Sequence, residues 1–189
     1  VAKAILADFV AGLESGRFRG ELLYLNDVAS ASGTGTVGLC VKSPEFAEVV
    51  LKRRVWHVLK RLAAQMKCAQ GKGLDPFAAW NDSQVLAVLA AQSHADYLCW
   101  HIFQLDVARL RSEHPTGLLS PLLSLCGQLH ALRQISNSSS FLAYKCLSAD
   151  EALSTSDAVL ELCTQLTPHS RNLVDSFGIP EHLLAPIAA

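Results

Sequence analysis

From Phe77 to Arg111 the chain runs without a single glycine or proline. At 1.5 Å of rise per residue, a helix over that span is roughly 50 Å long. Asp75-Pro76 precedes it, an N-cap acid followed by a proline at the first helical position. His114-Pro115 stops it. Between Val85 and Ala91 the run is apolar nearly all round, so its middle is expected to be buried. Such a helix needs neighbours on several sides, and the rest of the sequence supplies helices.

Ser43-Pro44-Glu45 repeats the start signal, and Phe46, Val49, Val50, Trp56, Leu59, Ala63 and Met66 then form one apolar face. Gly71 and Gly73 end this second long helix. Val1 to Glu14 has helical spacing as well, with apolar residues at 1, 2, 5, 6, 9, 10 and 13, and Gly16 and Gly20 close it. Leu22 to Leu25 fits a helical turn or a short strand equally well. Ala29 to Gly38 reads as a loop. Leu118 to Ile135 is a further helix, closed by Asn137-Ser138-Ser139-Ser140. Ser148-Ala149-Asp150-Glu151 is a capping box that opens a helix to about Leu166. Thr167-Pro168 starts a last one, ending at Phe177-Gly178. No period-2 strand series, Asn-Gly hairpin or internal repeat occurs. The expected fold is all-α, a bundle of five to six helices, two of them long.

The 189 residues are about one domain's worth. Half are hydrophobic and 17% charged, against about 25% charged in a typical domain; intrinsic disorder is excluded. No membrane span is expected, because the longest stretch free of Asp, Glu, Lys and Arg, Pro115 to Leu132, is broken by Gly117, Pro121, Gly127, Gln128 and serines. The net charge of −1 gives no global case for nucleic acid. The apolar excess points to surface buried against something else. Val1 within a helical pattern suggests a piece of a longer chain.

Several features invite chemistry and carry little. Gly33-Thr34-Gly35-Thr36-Val37-Gly38 spells G-x-G-x-x-G, but the strand before, the helix directly after and the acid about 20 residues on are missing. It reads as a loop. Lys42, Lys52, Arg53, Arg54, Lys60, Arg61, Lys67 and Lys72 hold half of the basic residues. No aromatic residue interleaves them on the basic face, since Phe46 and Trp56 fall on the apolar side, so a solvated face or a salt-bridge surface toward the acidic C-terminal third is expected rather than an RNA or phospholipid site. His94 and His101 share a helix face but lack the i, i+4 spacing and nearby acid of a metal pair. They read as buried, hydrogen-bonded histidines. The six cysteines, at 40, 68, 99, 126, 146 and 163, form no C-x-x-C and read as buried thiols. No local catalytic signature is present.

Two stretches add more. One is Asp75-Pro76-Phe77-Ala78-Ala79-Trp80-Asn81, with Leu86 to Ala91 and Ser93-His94 after it. The other is Arg171-Asn172-Leu173-Val174-Asp175-Ser176-Phe177-Gly178-Ile179-Pro180-Glu181-His182-Leu183, then Ala185-Pro186-Ile187-Ala188. Both resemble the C-terminal α-domain of acyl-CoA oxidases, with phrasing nearest the plant and algal branch. The Val-Asp-x-Phe-x-x-Pro ending is the more specific piece. The resemblance runs from about Ser43 to the end; residues 15–42 match poorly.

The resemblance implies a domain division: 1–42 would be the end of a preceding flavin-domain helix plus a Gly/Ser-rich linker, and 43–189 the C-terminal helical domain. It implies an FAD-dependent, peroxisomal homodimer that converts acyl-CoA and O₂ to trans-2-enoyl-CoA and H₂O₂. The family's catalytic glutamate, in a Glu-Gly-Asp/Glu-Asn segment, and most of its flavin ligands lie upstream. Glu14 and Glu21 sit in no such motif. The resemblance therefore assigns no catalytic, cofactor-binding or metal-binding residue to this chain, and none is expected. The expected role is to cover the flavin domain and support the dimer, with Ala91 and Leu98 on the docking face. The competing reading is a stand-alone helical interaction module without chemistry.

Overall fold

A computed structural model describes residues 2–30, 39–180 and 183. The Gly33–Gly38 motif, Glu181, His182 and the Ala185-Pro186-Ile187-Ala188 ending lie outside the described residues.

Among the described residues there are nine α-helices and no strand. They are α1 (Ala2–Ser15), α2 (Leu25–Ser30), α3 (Pro44–Gly71), α4 (Pro76–Asp82), α5 (Gln84–Glu113), α6 (Leu119–Asn137), α7 (Ser140–Ala143), α8 (Ala149–Leu166) and α9 (Ser170–Asp175). Five exceed three turns and α3 and α5 are the longest, as the periodicity predicts. Leu22 to Leu25 resolves into a 3₁₀ turn, Gly20–Leu22, leading into α2. Ala29 and Ser30, expected in a loop, finish α2.

The long run is interrupted once. Ser83 leaves helical geometry (φ −100°, ψ 4°) and separates α4 from α5. Its hydroxyl turns back to donate to the Ala79 carbonyl at 2.9 Å, a local bond that competes with the helix ladder. Sequence periodicity misses the break because neither glycine nor proline marks it.

Each boundary has a chemical cause. The Ser43 hydroxyl accepts the Phe46 N–H at 3.2 Å, with Pro44 following it. Asp75 accepts from the amides of Phe77 and Ala78. At Ser148 the capping box is reciprocal: its hydroxyl accepts the Glu151 N–H at 3.2 Å and the Glu151 carboxylate accepts the Ser148 N–H at 2.7 Å. α3 ends in a Schellman turn, with Leu74 N–H on Ala69 O and Gly73 N–H on Gln70 O. Gly73 supplies the positive φ of +70° this needs. The same turn closes α7 through Cys146 N–H on Phe141 O, with Lys145 at φ 55° in the glycine position.

The core follows the helical period on α3: Phe46, Ala47, Val50, Leu51, Val55, Val58, Leu59 and Leu62 are buried. α3 packs chiefly on α5, and α6 packs on α5 and α8. α6 approaches α5 closely at Gly127, where a Cβ would lie 2.7 Å from the Phe103 ring. α1 lays Ile5 and Phe9 on the same core. The Phe18 ring fills the space beside Gly12, stacking on Phe9 at 5.5 Å, and Trp56 sits edge-on to both. Each fully buried Phe or Leu here is worth about 1.5–3 kcal/mol over its exposed state.

Candidate functional site

Polar side chains gather where α2 and its preceding turn meet α3 and α5. Tyr24 Oη lies 2.8 Å from His94 Nδ1, and the Tyr24 ring stacks near Tyr97 at 4.1 Å and His94 at 5.9 Å. Tyr97 in turn stacks on His101 at 5.5 Å. Lys52 reaches under this ladder, 5.8 Å from the Tyr97 ring centre, and pairs with Glu48 at 2.7 Å and Asp27 at 3.1 Å. Two residues along α3, the Arg54 guanidinium bonds Asp96 at 2.8 Å and lies 4.7 Å over the Phe141 ring.

The protonation pattern is set mainly by burial. Burial pushes the Tyr24 hydroxyl strongly upward, and Tyr97 is pushed up to about 12. Burial pulls the Lys52 ammonium downward, but its bonds to Glu48 and Asp27 more than reverse this. Burial also lowers His94, with Glu21 partly opposing it. A protonated Tyr24 and a neutral His94 satisfy each other with the tyrosine donating to Nδ1. The imidazole proton then sits on Nε2, which is buried without a hydrogen-bond partner and lies 3.8 Å from Glu21 Oε2.

The Tyr24 hydroxyl lies beside His94 Nδ1, but burial holds it strongly against ionisation, so the pair works as a hydrogen bond. What the cluster does is tether: Tyr24 to α5 through His94, and Asp27 to α3 through Lys52. His94 is a buried, hydrogen-bonded histidine, as expected. His101 is only half-buried and rests on Tyr97. Among the described residues no group of three or more His, Cys, Asp and Glu side chains is placed to hold a metal ion.

Three expectations need correcting. Lys52 and Arg54 are not part of a solvated face; both are buried and ion-paired within the chain. Their positions among Val50, Leu51, Val55 and Val58 put them on the core side of α3, a signal present in the helical period. Lys42 does meet the acidic third, pairing with Glu161. Second, of the six cysteines only Cys146 is buried, its thiol pushed up to about 12; Cys126 is half-buried, and Cys40, Cys68, Cys99 and Cys163 are exposed. They fall at outward positions of the helices and their flanks. Third, α5 is not buried all round between Val85 and Ala91. Ala87 and Ala90 face the core, while Val85 is 86% exposed and Val88 56%.

That third correction defines the main surface feature. Val85, Val88, Ala95, Cys99, Ile102 and Leu105 follow one another along the outward side of α5, all exposed. Leu98, expected on this side, packs against the core instead, and Ala91 is half-buried. At the C-terminal end Val174, Phe177 and Ile179 are also exposed, Phe177 by 76%. The bundle thus leaves its most distinctive segment outside its own core.

A flavin would need a deep slot for its ring system. Two clefts among the described residues, at the α5–α6 turn and beside the C-terminal half of α1, are open to solvent and lined by no Phe, Tyr or Trp. The aromatic rings of the polar cluster are closed on one another. The described residues do not fit FAD by themselves.

The family model described as acyl-CoA oxidase matches residues 43–187. The whole chain is 27% identical to acyl-coenzyme A oxidase 3, peroxisomal, of Arabidopsis thaliana, and covers 28% of its length. It is 40% identical over 39% of its own length to a putative acyl-coenzyme A oxidase of the same plant, covering 40% of that protein. Over 93% of the chain it is 26% identical to peroxisomal acyl-coenzyme A oxidase 1 of Phascolarctos cinereus, covering 27% of it. In fold it matches two Yarrowia lipolytica acyl-CoA oxidase crystal structures. For oxidase 3 the TM-score is 0.81 at 15% identity, covering 95% of this chain and 25% of that one. For oxidase 1 it is 0.77 at 20%, covering 95% and 26%. The chain therefore spans under a third of the length of the full-chain relatives it matches. With the family match extending over more than half of its residues, the chain belongs to the acyl-CoA oxidase family.

Proposed function

We propose that this chain is the C-terminal helical portion of an acyl-CoA oxidase subunit. The complete subunit would convert acyl-CoA and O₂ to trans-2-enoyl-CoA and H₂O₂ in the peroxisome, where several relatives are named as residing. FAD and the catalytic glutamate would be held by residues outside this chain. In this reading residues 1–42 continue the flavin domain and 43–189 form the C-terminal domain. The portion's work is to dock: it covers the flavin domain, keeps bulk water from the acyl site and supports a homodimer.

The observation that carries this is the apolar stripe on α5 together with the exposed Val174 and Phe177. Contiguous apolar surface of this kind marks an interaction face in a soluble protein. The missing length of the relatives supplies a natural cover, which favours this reading over a stand-alone module.

The test is Val88→Asp and Ile102→Asp in the full-length polypeptide that contains this sequence. Both side chains point away from the bundle core, so the helices should keep their far-UV circular dichroism. Loss of bound flavin or of the dimer is expected in each. Wild-type flavin content and oligomeric state in both variants would refute the docking role.

A further inference from the structure

We propose that the N-terminus of α6 binds a singly charged carboxylate that carries a short apolar chain, at a site apart from the docking face on α5. α3, α4 and α8 each begin on a side chain that accepts from their first amides. α6 does not. Its N-cap is Leu118, whose side chain makes no capping bond, and no acid lies in its first turn. The Leu119 and Ser120 N–H groups have no acceptor among the described residues, and Pro121 has no N–H to offer. A helix of 19 residues thus turns the positive end of its dipole toward the segment before it.

An independent observation falls on the same spot. Ser120 is 3% exposed, yet its hydroxyl has no hydrogen-bond partner among the described residues, and the residue lines a cleft of about 390 Å³ at the α5–α6 turn. Side-chain hydroxyls buried to this degree are normally hydrogen-bonded. This one therefore points to an acceptor that enters the cleft. The cleft is held in shape by its own backbone. His114 N–H donates to Leu110 O at 2.9 Å and Gly117 N–H to His114 O at 3.0 Å. A Cβ on residue 117 would come within 3.2 Å of the His114 carbonyl oxygen, so the turn is as tight as a glycine allows.

The lining selects the ligand class. Two amides and one hydroxyl match the two oxygens of a carboxylate and fall short of the oxygens of a phosphate. Glu113, exposed, also lines the cleft; its repulsion grows with ligand charge and favours a monoanion over a dianion. Leu110, Leu118 and Leu119 give the cleft an apolar side. Leu118 is 87% exposed, and an alkyl chain laid on it takes that surface out of water. The volume lies within the range of small-molecule sites, about 300–1,000 Å³.

The experiment is saturation-transfer NMR on the native polypeptide that carries this sequence, titrated with hexanoate, hexyl phosphate and hexylamine, which share a chain and differ in the head group. Hexanoate should bind, hexyl phosphate more weakly, and hexylamine not at all. Ser120→Ala should weaken hexanoate by about tenfold, the loss of one hydrogen bond to a charged group. It should keep its circular dichroism, because the hydroxyl bonds to nothing in the chain. Leu118→Asp fixes a carboxylate on the same helix end; it should abolish hexanoate binding and slow hydrogen exchange in the first turns of α6. Binding should persist with acyl-CoA at saturation. No hexanoate binding, hexylamine or hexyl phosphate binding as tightly, or hexanoate affinity unchanged in both variants would each overturn the proposal. So would displacement of hexanoate by acyl-CoA, which would place it in a substrate site instead.

Discussion

Replacing Asp96 by Asn should cost the bundle roughly 3 kcal/mol, the lower end of what removal of one partner of a buried pair costs. The Arg54 side chain is 6% exposed and its guanidinium bonds Asp96 at 2.8 Å. Arg54 Nε has no partner, so the pair already holds little in reserve. The substitution keeps the volume and an accepting oxygen but removes the negative charge, leaving the Arg54 charge in the core with a neutral acceptor and the Phe141 ring face. The lower end applies because the Asp96 side chain is 24% exposed, which lets water screen part of the loss. The paired variant Arg54→Met with Asp96→Leu removes both charges and should lie within about 1 kcal/mol of wild type. The assay is native-state hydrogen exchange of α3 and α5 amides in the full-length polypeptide, which reads the opening energy of this unit within a larger protein. Asp96→Asn within about 0.5 kcal/mol of wild type, or a double variant as unstable as the single one, would refute the reasoning.

Three further outcomes follow from the geometry. Gly127→Leu should destabilise by about 1–3 kcal/mol, because even its Cβ would lie 2.7 Å from the Phe103 ring; unchanged exchange protection in α6 would count against that close crossing. Lys145→Gly should stabilise by roughly 0.5–1 kcal/mol and Gly73→Ala should destabilise by a similar amount, since both positions hold positive φ in the same turn; denaturant midpoints with equal m-values would show it. Burial lowers His94 and His57, the latter also through Arg53 and Lys60. The unfolded chain therefore takes up protons near pH 6.5 that the folded chain refuses. Their contribution is intact above about pH 6.5 and is lost as pH falls toward the depressed folded values. His94→Gln should flatten that slope; an identical pH dependence in the variant would contradict it.

The helices were legible because their ends are written in capping chemistry. Ser43-Pro44, Asp75-Pro76 and Ser148 with Glu151 each locate a start that the structure reproduces. The break at Ser83 was not legible, because it depends on a serine hydroxyl choosing the Ala79 carbonyl rather than on a breaker residue. Composition suggested a face buried against something else, but it could not say which side of α5. Apolar residues occur on both sides of that helix, and only the packing of Ala87, Ala90 and Tyr97 against the core shows that Val85 and Val88 point away. The tether was missed for a different reason. Tyr24 and His94 are seventy positions apart, and no local pattern carries a contact at that separation. Lys52 and Arg54 defeat a reading by local charge, because the core period of α3 through Val50, Leu51, Val55 and Val58 also buries them.

The most direct test of the central claim is the intact mass of the native polypeptide carrying this sequence, with its flavin absorbance and H₂O₂ production from acyl-CoA in the same preparation. The account predicts a mass several times 20.4 kDa, bound flavin and peroxide formation. A polypeptide near 20.4 kDa, stable without flavin and inert toward acyl-CoA, would contradict it and leave a free-standing helical module.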